Sequence, residues 1–274
     1  MDSFDRIASA FQNARRQGRA AFIAYVCGGD PDFETSAALM ESLLNTGVDI
    51  LEIGVPFSDP LADGRTNQLA SQRALESGMT SENLLSLVRL TREKFPNVPF
   101  ILYIYYNLIL SQGTAAFLRA CKNAGVDGIL ALDCPPEEAG ELLAASRENG
   151  LANIFIVAPT TPPDRIVRIT SEASGFIYYV SREGVTGEHK DLAQNIGSAV
   201  ARIKHYTALP VAVGFGISSP EQVAAVGRVA NGVVVGSALV NVIAANLHDR
   251  TKIPAALATK TAALLSGLRK SPQT

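Results

Sequence analysis

The sequence predicts an α/β protein folded as one closed (β/α)8 barrel with an extra N-terminal helix, and three observations carry that expectation. Eight short apolar runs recur along the 274 residues, and segments of 3.6-residue periodicity separate them, so strands alternate with helices. The runs are apolar at almost every position rather than at every second one, the pattern of parallel strands covered on both faces. No Gly/Ser-rich linker or composition shift divides the chain, and eight such units in about 250 residues match a closed barrel better than an open doubly wound sheet.

In chain order, residues 4 to 17 set Phe4, Ile7, Ala8 and Phe11 at helical spacing, so an amphipathic helix is expected within residues 1–18. The strand-like runs are Ala21 to Val26, Asp49 to Ile53, Val98 to Tyr103, Gly128 to Leu132, Asn153 to Ala158, Gly175 to Val180, Leu209 to Gly214 and Gly232 to Gly236. Each begins abruptly and stops at Gly, Pro, Asp or Ser. Helical spacing is clearest over Thr35 to Leu44, Ser81 to Phe95, Ala115 to Ala124, Pro136 to Ser146, Leu192 to Ile203 and Pro220 to Val226. Residues 1–274 read as one domain, with 269–274 a frayed tail.

At 47% hydrophobic and 18% charged residues the chain can bury a large core. Lys and Arg number 24 against 26 Asp and Glu, a net charge of −2, so no basic stripe points to nucleic acid or an acidic membrane. Cys27, Cys121 and Cys134 are odd in number and lack a CxxC spacing, which argues against a disulfide framework or zinc knuckle and for a reducing compartment. The N-terminus has no basic segment followed by a long apolar run, and no stretch reaches the ~18 apolar residues of a membrane span. A soluble, cytoplasmic protein is expected.

In a barrel of this kind the chemistry sits at the C-terminal ends of the strands. Asp49-Ile50-Leu51-Glu52-Ile53-Gly54 holds a carboxylate inside an apolar run; if Leu51 and Ile53 face the helices, Glu52 faces the lumen. Desolvation there raises a carboxyl pKa toward the range useful for proton transfer, although a structural Glu paired with an Arg would give the same pattern. The following loop, Pro56 to Thr66, is long and carries Asp59 and Asp63, each of which could equally be a turn former beside Pro60 or Gly64. Three further strand ends are rich in Gly and hydroxyls: Gly184-Val185-Thr186-Gly187, Gly214-Phe215-Gly216-Ile217-Ser218-Ser219 and Gly236-Ser237-Ala238. Glycines admit an anion close to the backbone and a helix N-terminus presents free N–H groups, so these loops describe a phosphate cradle. No lysine falls in a run or just after one, where a Schiff base would form, and His189, His205 and His248 form no metal-binding pair. Carboxylate acid–base chemistry on a phosphorylated substrate, with no metal, is what remains.

The stretch Leu51-Glu52-Ile53-Gly54-Val55-Pro56-Phe57-Ser58-Asp59-Pro60-Leu61-Ala62-Asp63-Gly64 resembles the signature of tryptophan synthase alpha subunits. Phe22 to Pro31, Tyr105-Tyr106-Asn107, Ala158-Pro159-Thr160-Thr161, Tyr178 to Gly187, Gly214 to Ser219 and Val235-Gly236-Ser237 follow in the family's order and extend the resemblance over nearly the whole chain. It implies a TIM barrel that cleaves indole-3-glycerol phosphate to indole and glyceraldehyde 3-phosphate without a cofactor. On that resemblance Glu52 is the catalytic glutamate, and Asp63 accepts a hydrogen bond from the indole N–H. Gly187, Phe215, Gly216, Gly236 and Ser237 match phosphate-binding positions, Phe22 and Tyr178 match residues lining the indole pocket, and Tyr105 is a further substrate-binding position. Ser181 to Lys190 resembles a lid in which Thr186 contacts Asp63. The family pairs this subunit with a pyridoxal-phosphate beta subunit as αββα, which implies an interface at Pro56, Asp59 and Pro60 and no pyridoxal phosphate on this chain.

Arg65 departs from the proline usual there, and Asn67 from a usual apolar residue. Without the proline the loop is expected to be looser, and a cation beside Asp63 could hold it in an ion pair, so that isolated activity depends on docking of the partner. Ala24 for a frequent Pro and Asn231 for a frequent Asp look minor. A free-standing lyase that releases indole fits the same residues; a non-catalytic activator and a sugar-phosphate isomerase fit them less well.

Overall fold

The computed structural model describes residues 5–181, 189–214 and 216–268, with the backbone alone for 189–194. In chain order the elements are α1 (Arg6–Arg16), β1 (Ala21–Cys27), α2 (Phe33–Thr46), β2 (Ile50–Gly54), α3 (Arg65–Glu76), α4 (Ser81–Lys94), β3 (Phe100–Ile104) and α5 (Tyr106–Leu110). They continue with α6 (Thr114–Ala124), β4 (Gly128–Ala131), α7 (Gly140–Asn149), β5 (Ala152–Asn153), β6 (Phe155–Val157), α8 (Pro163–Glu172), β7 (Ile177–Val180) and α9 (His189–Lys204). Last come β8 (Val211–Gly214), α10 (Pro220–Gly227), β9 (Gly232–Val235), α11 (Ser237–Ala245) and α12 (Ile253–Ser266).

Local chemistry sets several of these boundaries. Asp32 caps α2 by accepting from Thr35 N–H at 2.7 Å, and Gly47 ends that helix in the left-handed conformation. α7 starts at Gly140 rather than at Pro136, because residues 135–139 make turns in which Glu138 N–H donates to Pro135 O and Ala139 N–H to Pro136 O. The sequence periodicity singled out neither α3, α8 nor α12; α3, RTNQLASQRALE, buries only Ala70, Ser71 and Ala74 and so carries a weak apolar stripe.

All pairings are parallel, and the nine strands run in the order β5-β4-β3-β2-β1-β9-β8-β7-β6, so the two ends of the order are adjacent in the chain. β5 pairs with β4 (Ile129↔Asn153) and β6 with β7 (Phe155↔Ile177), with only Ile154 between them. One run therefore switches neighbours halfway along its length and closes the barrel. Asn153 makes the switch: its N–H donates to Ser174 Oγ at 2.8 Å, and its carbonyl accepts from Ser174 N–H at 2.8 Å. These nine ladder segments are the eight apolar runs.

Two apolar layers result. Phe22, Ala24, Val26, Leu51 and Ile53 pack outward against helices, whereas Ala21, Ile23, Ile50, Ile101, Leu130, Ile154, Phe176, Ala212 and Val234 fill the lumen. Helix α1 closes the lower end with Ile7, Ala10, Phe11 and Ala14, and the Phe11 and Phe176 rings lie 5.6 Å apart. A repeated device locks the lower rim. The side chain of the residue before a strand accepts from an amide at the start of an adjacent strand: Asp49 from Phe22 N–H (2.7 Å), Asp127 from Phe100 N–H (2.9 Å) and Asn231 Oδ1 from Val211 N–H (3.0 Å). Asn231 thus needs only an acceptor oxygen, which an amide supplies as well as a carboxylate.

Candidate active site

Strand β2 carries Glu52 into the upper lumen. Its neighbours Leu51 and Ile53 pack outward, and its register partner on β1 is Tyr25. Glu52 is 1% exposed, and its Oε1 has no hydrogen-bond partner. No arginine pairs with it among the described residues, so the structural-Glu alternative fails. Burial first, and then the negative charge of Asp63, pushes its carboxyl up to about 8.

Asp63 lies in the loop between β2 and α3. That loop is otherwise open, with Leu61 81% exposed, yet both carboxylate oxygens are engaged. Tyr103 Oη donates to Oδ1 and Tyr105 Oη to Oδ2, each at 2.9 Å. Tyr105 in turn accepts from Ala62 N–H at 3.0 Å and packs on Phe57, ring centroids 5.0 Å apart. Asp63 N–H donates to Pro60 O, and Gln68 Nε2 to Asp63 O, both at 3.0 Å. Three lumen tyrosines, Tyr25, Tyr103 and Tyr178, have phenols held well above their usual range by burial and by the charges of both Glu52 and Asp63. The two acids and these rings therefore share one chamber.

Glycines at the strand ends make that chamber possible. A Cβ on Gly54 would collide with the Tyr25 hydroxyl, and one on Gly214 would lie 2.5 Å from the Tyr178 hydroxyl. A Cβ on Gly236 would stand 3.2 Å from Tyr25 Cδ1, so one tyrosine side chain reaches from the end of β2 to the start of α11. There Gly236 is the N-cap and Ser237 the first residue of a helix with no side-chain cap; Leu239 N–H already bonds Gly236 O at 2.8 Å, which leaves the Ser237 and Ala238 amides for an anion. Gly216 has φ +70°, a conformation that favours glycine. In the same loop Ser219 caps α10 and Gln222 Oε1 accepts from Ser218 N–H (2.8 Å), so those serines serve the helix rather than a ligand. Thr186, Gly187 and Phe215 lie outside the described residues.

Phe22 is a correction. It is fully buried, but it alternates with Ala21 and Ile23, which fill the lumen, and so points into the outer core. Tyr25, three residues on, lines the chamber instead. β1 is apolar at every position, so no period-2 signal showed which parity faces inward. Arg65 is a second correction. It is exposed at the first position of α3 and makes no ion pair with Asp63, whose oxygens the two tyrosines already hold. Gly64 before it is extended, and the first-turn N–H of a helix is unpaired in any case, so proline fits here without losing a bond. Arg65→Pro is expected to raise stability by about 0.4–1 kcal/mol in urea unfolding, with isolated turnover unchanged.

Pro56 is buried at the base of the loop, while Asp59 is exposed and Pro60 partly so. No helix among the described residues is long and apolar enough to cross a membrane.

Proton transfer on an anionic substrate is the chemistry this mouth is equipped for, which places the chain among the acid–base enzymes of the TIM-barrel class. Comparison with known proteins narrows the class. A family model described as tryptophan synthase alpha chain matches residues 11–267. The tryptophan synthase alpha chain of Opitutus terrae is 58% identical over 265 residues, 97% of this chain and 99% of that protein, and that of a Caulobacter species is 44% identical over 267 residues, 97% of each. The crystal structure of tryptophan synthase subunit alpha from Legionella pneumophila superposes with a TM-score of 0.90 at 32% identity, covering 97% of this chain and 99% of that one. A chain of the aminoacrylate-bound tryptophan synthase of M. tuberculosis gives 0.86 at 35%, covering 97% and 100%. The chain belongs to the tryptophan synthase alpha chain family.

Proposed function

We propose that the chain performs its family's lyase reaction, the cleavage of indole-3-glycerol phosphate to indole and glyceraldehyde 3-phosphate, with Glu52 and Asp63 as its acid–base pair. Breaking the carbon–carbon bond requires the indole ring to act as an electron sink. Glu52, protonated at neutral pH, donates to ring C3. The carboxylate left behind, desolvated and beside Asp63, is a strong base and takes the proton of the glycerol hydroxyl as the bond breaks. Asp63 accepts from the indole N–H and stabilises the positive charge that develops on the ring. Gly216, Gly236 and Ser237, joined by Gly187 and Phe215, grip the phosphate, which supplies binding energy away from the bond that breaks. Tyr25, Tyr105 and Tyr178 flank the ring. The orphaned Oε1 of Glu52, facing a chamber with its carboxyl held near 8, is the observation that carries this reading.

In this reading the chain works in the cytoplasm with a tryptophan synthase beta subunit, docked over Pro56, Asp59 and Pro60, and passes indole to it for L-tryptophan synthesis. The test is indole release from indole-3-glycerol phosphate by wild type, Glu52→Gln and Asp63→Asn, each with and without the beta subunit. Both variants are expected to lose about 10² to 10⁴-fold in kcat, and unchanged turnover in both would remove the assignment. Equal wild-type turnover with and without the beta subunit, together with no co-elution, would favour the free-standing lyase.

A further inference from the structure

We infer that Tyr103 is a positioning residue for Asp63, acting through its hydroxyl to hold the loop carboxylate in register with the barrel wall. This rests on the role given to Asp63 above. The carboxylate sits on a loop whose neighbour Leu61 is 81% exposed, and an acceptor on such a loop has no fixed place unless something rigid braces it. Tyr105 takes one oxygen from just past the end of β3, its hydroxyl also accepting from Ala62 N–H of the same loop.

Tyr103 is different. It lies within β3, register partner of Gly54 on β2 and of Leu130 on β4, so strands on both sides hold its backbone. Its ring meets that of Tyr25 edge-on, centroids 5.0 Å apart, and the Tyr25 ring in turn occupies the space beside side-chain-free Gly54. From that fixed base the hydroxyl donates to Asp63 Oδ1 at 2.9 Å. Burial and the nearby carboxylates hold its phenol far above the neutral range, so it stays a donor throughout the working pH. Each oxygen of Asp63 takes one phenol, Oδ1 also accepts from Asn67 Nδ2 at 3.4 Å, and the lone pair left on Oδ2 is aimed by that pairing. A carboxylate so fixed can meet an indole N–H without reorganising.

Tyr103→Phe removes one oxygen and keeps the ring contact with Tyr25. It is measured with indole-3-glycerol phosphate on the full chain saturated with the tryptophan synthase beta subunit, beside Asp63→Ala and the double variant. A lost hydrogen bond to a charged acceptor predicts a fall in kcat of about 10- to 100-fold, with KM within about threefold. In the Asp63→Ala background the same substitution should change nothing further, since a residue acting only through Asp63 has nothing left to position. Wild-type kcat in Tyr103→Phe with an impaired Asp63→Ala overturns the inference alone, as does a loss that persists undiminished in the double variant. Wild-type turnover in Asp63→Ala overturns both the inference and the role of Asp63 beneath it.

Discussion

Glu52→Gln should nearly abolish indole release while making the protein more stable. The amide has the shape of the protonated carboxyl, so packing is kept, but it can neither give nor take the proton, and about 10³-fold or more in kcat is lost. The stability gain follows from linkage. The carboxyl titrates near 4.5 when unfolded and near 8 when folded, so between those values the native state binds the extra proton and stability falls as pH rises. At pH 7 the cost to the wild type is on the order of 3 kcal/mol; at pH 4 it is absent. Urea midpoints of both proteins at pH 5 and pH 7.5 test this, with the variant gaining on the wild type at the higher pH. Parallel midpoints would show that Glu52 titrates as an ordinary carboxylate. The same value places the alkaline limb of the wild-type kcat/KM profile near pH 8, where the free enzyme loses the acid form of Glu52.

Asp127→Ala should be the most destabilising change at the lower rim, at about 3 kcal/mol, and should leave turnover intact at temperatures where the protein stays folded. Asp127 accepts from Arg6 Nη1 at 2.9 Å, Arg92 Nη2 at 2.6 Å and Phe100 N–H at 2.9 Å. Its removal strands that amide and uncouples a largely buried guanidinium, which is costlier than never having built the pair. Arg92 keeps its bonds to Val98 O and Gly125 O and its seat 3.9 Å over the Phe100 ring, so the loss stays below that of a wholly abandoned charge. Asp127→Asn preserves the acceptor for Phe100 N–H, as Asn231 does natively for Val211, and should cost about half as much. A ΔΔG under about 1 kcal/mol for Asp127→Ala would show that the rim acceptors are decorative. A fall in kcat of the folded variant would contradict the separation of a stabilising lower face from a catalytic upper one.

Legibility in the sequence varied with the kind of signal. Glu52 stood out because it is the one charge within an apolar run, where burial is paid by a functional group or an ion pair. The strands were legible as units because both faces are covered, yet that same covering erased the alternation. With Phe22, Ile23, Ala24 and Tyr25 all apolar or aromatic, neither parity is marked, and only the pairing Tyr25↔Glu52 settles which side chain shares the lumen with the acid. Tyr103 was hidden for the same reason. The rim acceptors had a readable sign, an Asp or Asn just ahead of an apolar run at Asp49, Asp127 and Asn231, but their partners lie 20 to 121 residues away.

The sequence by itself determined the number and order of the barrel's units, the glycine-rich ends of the last strands and the acid set within the second strand, because each depends on residues close together in the chain. The tertiary structure alone decided which tyrosines enter the chamber, that Asp63 is held by Tyr103 and Tyr105 rather than by Arg65, and that one run closes the barrel by changing neighbours at Asn153. Those outcomes depend on strand register and on hydrogen bonds between distant segments, which a local pattern of apolar and polar residues does not encode.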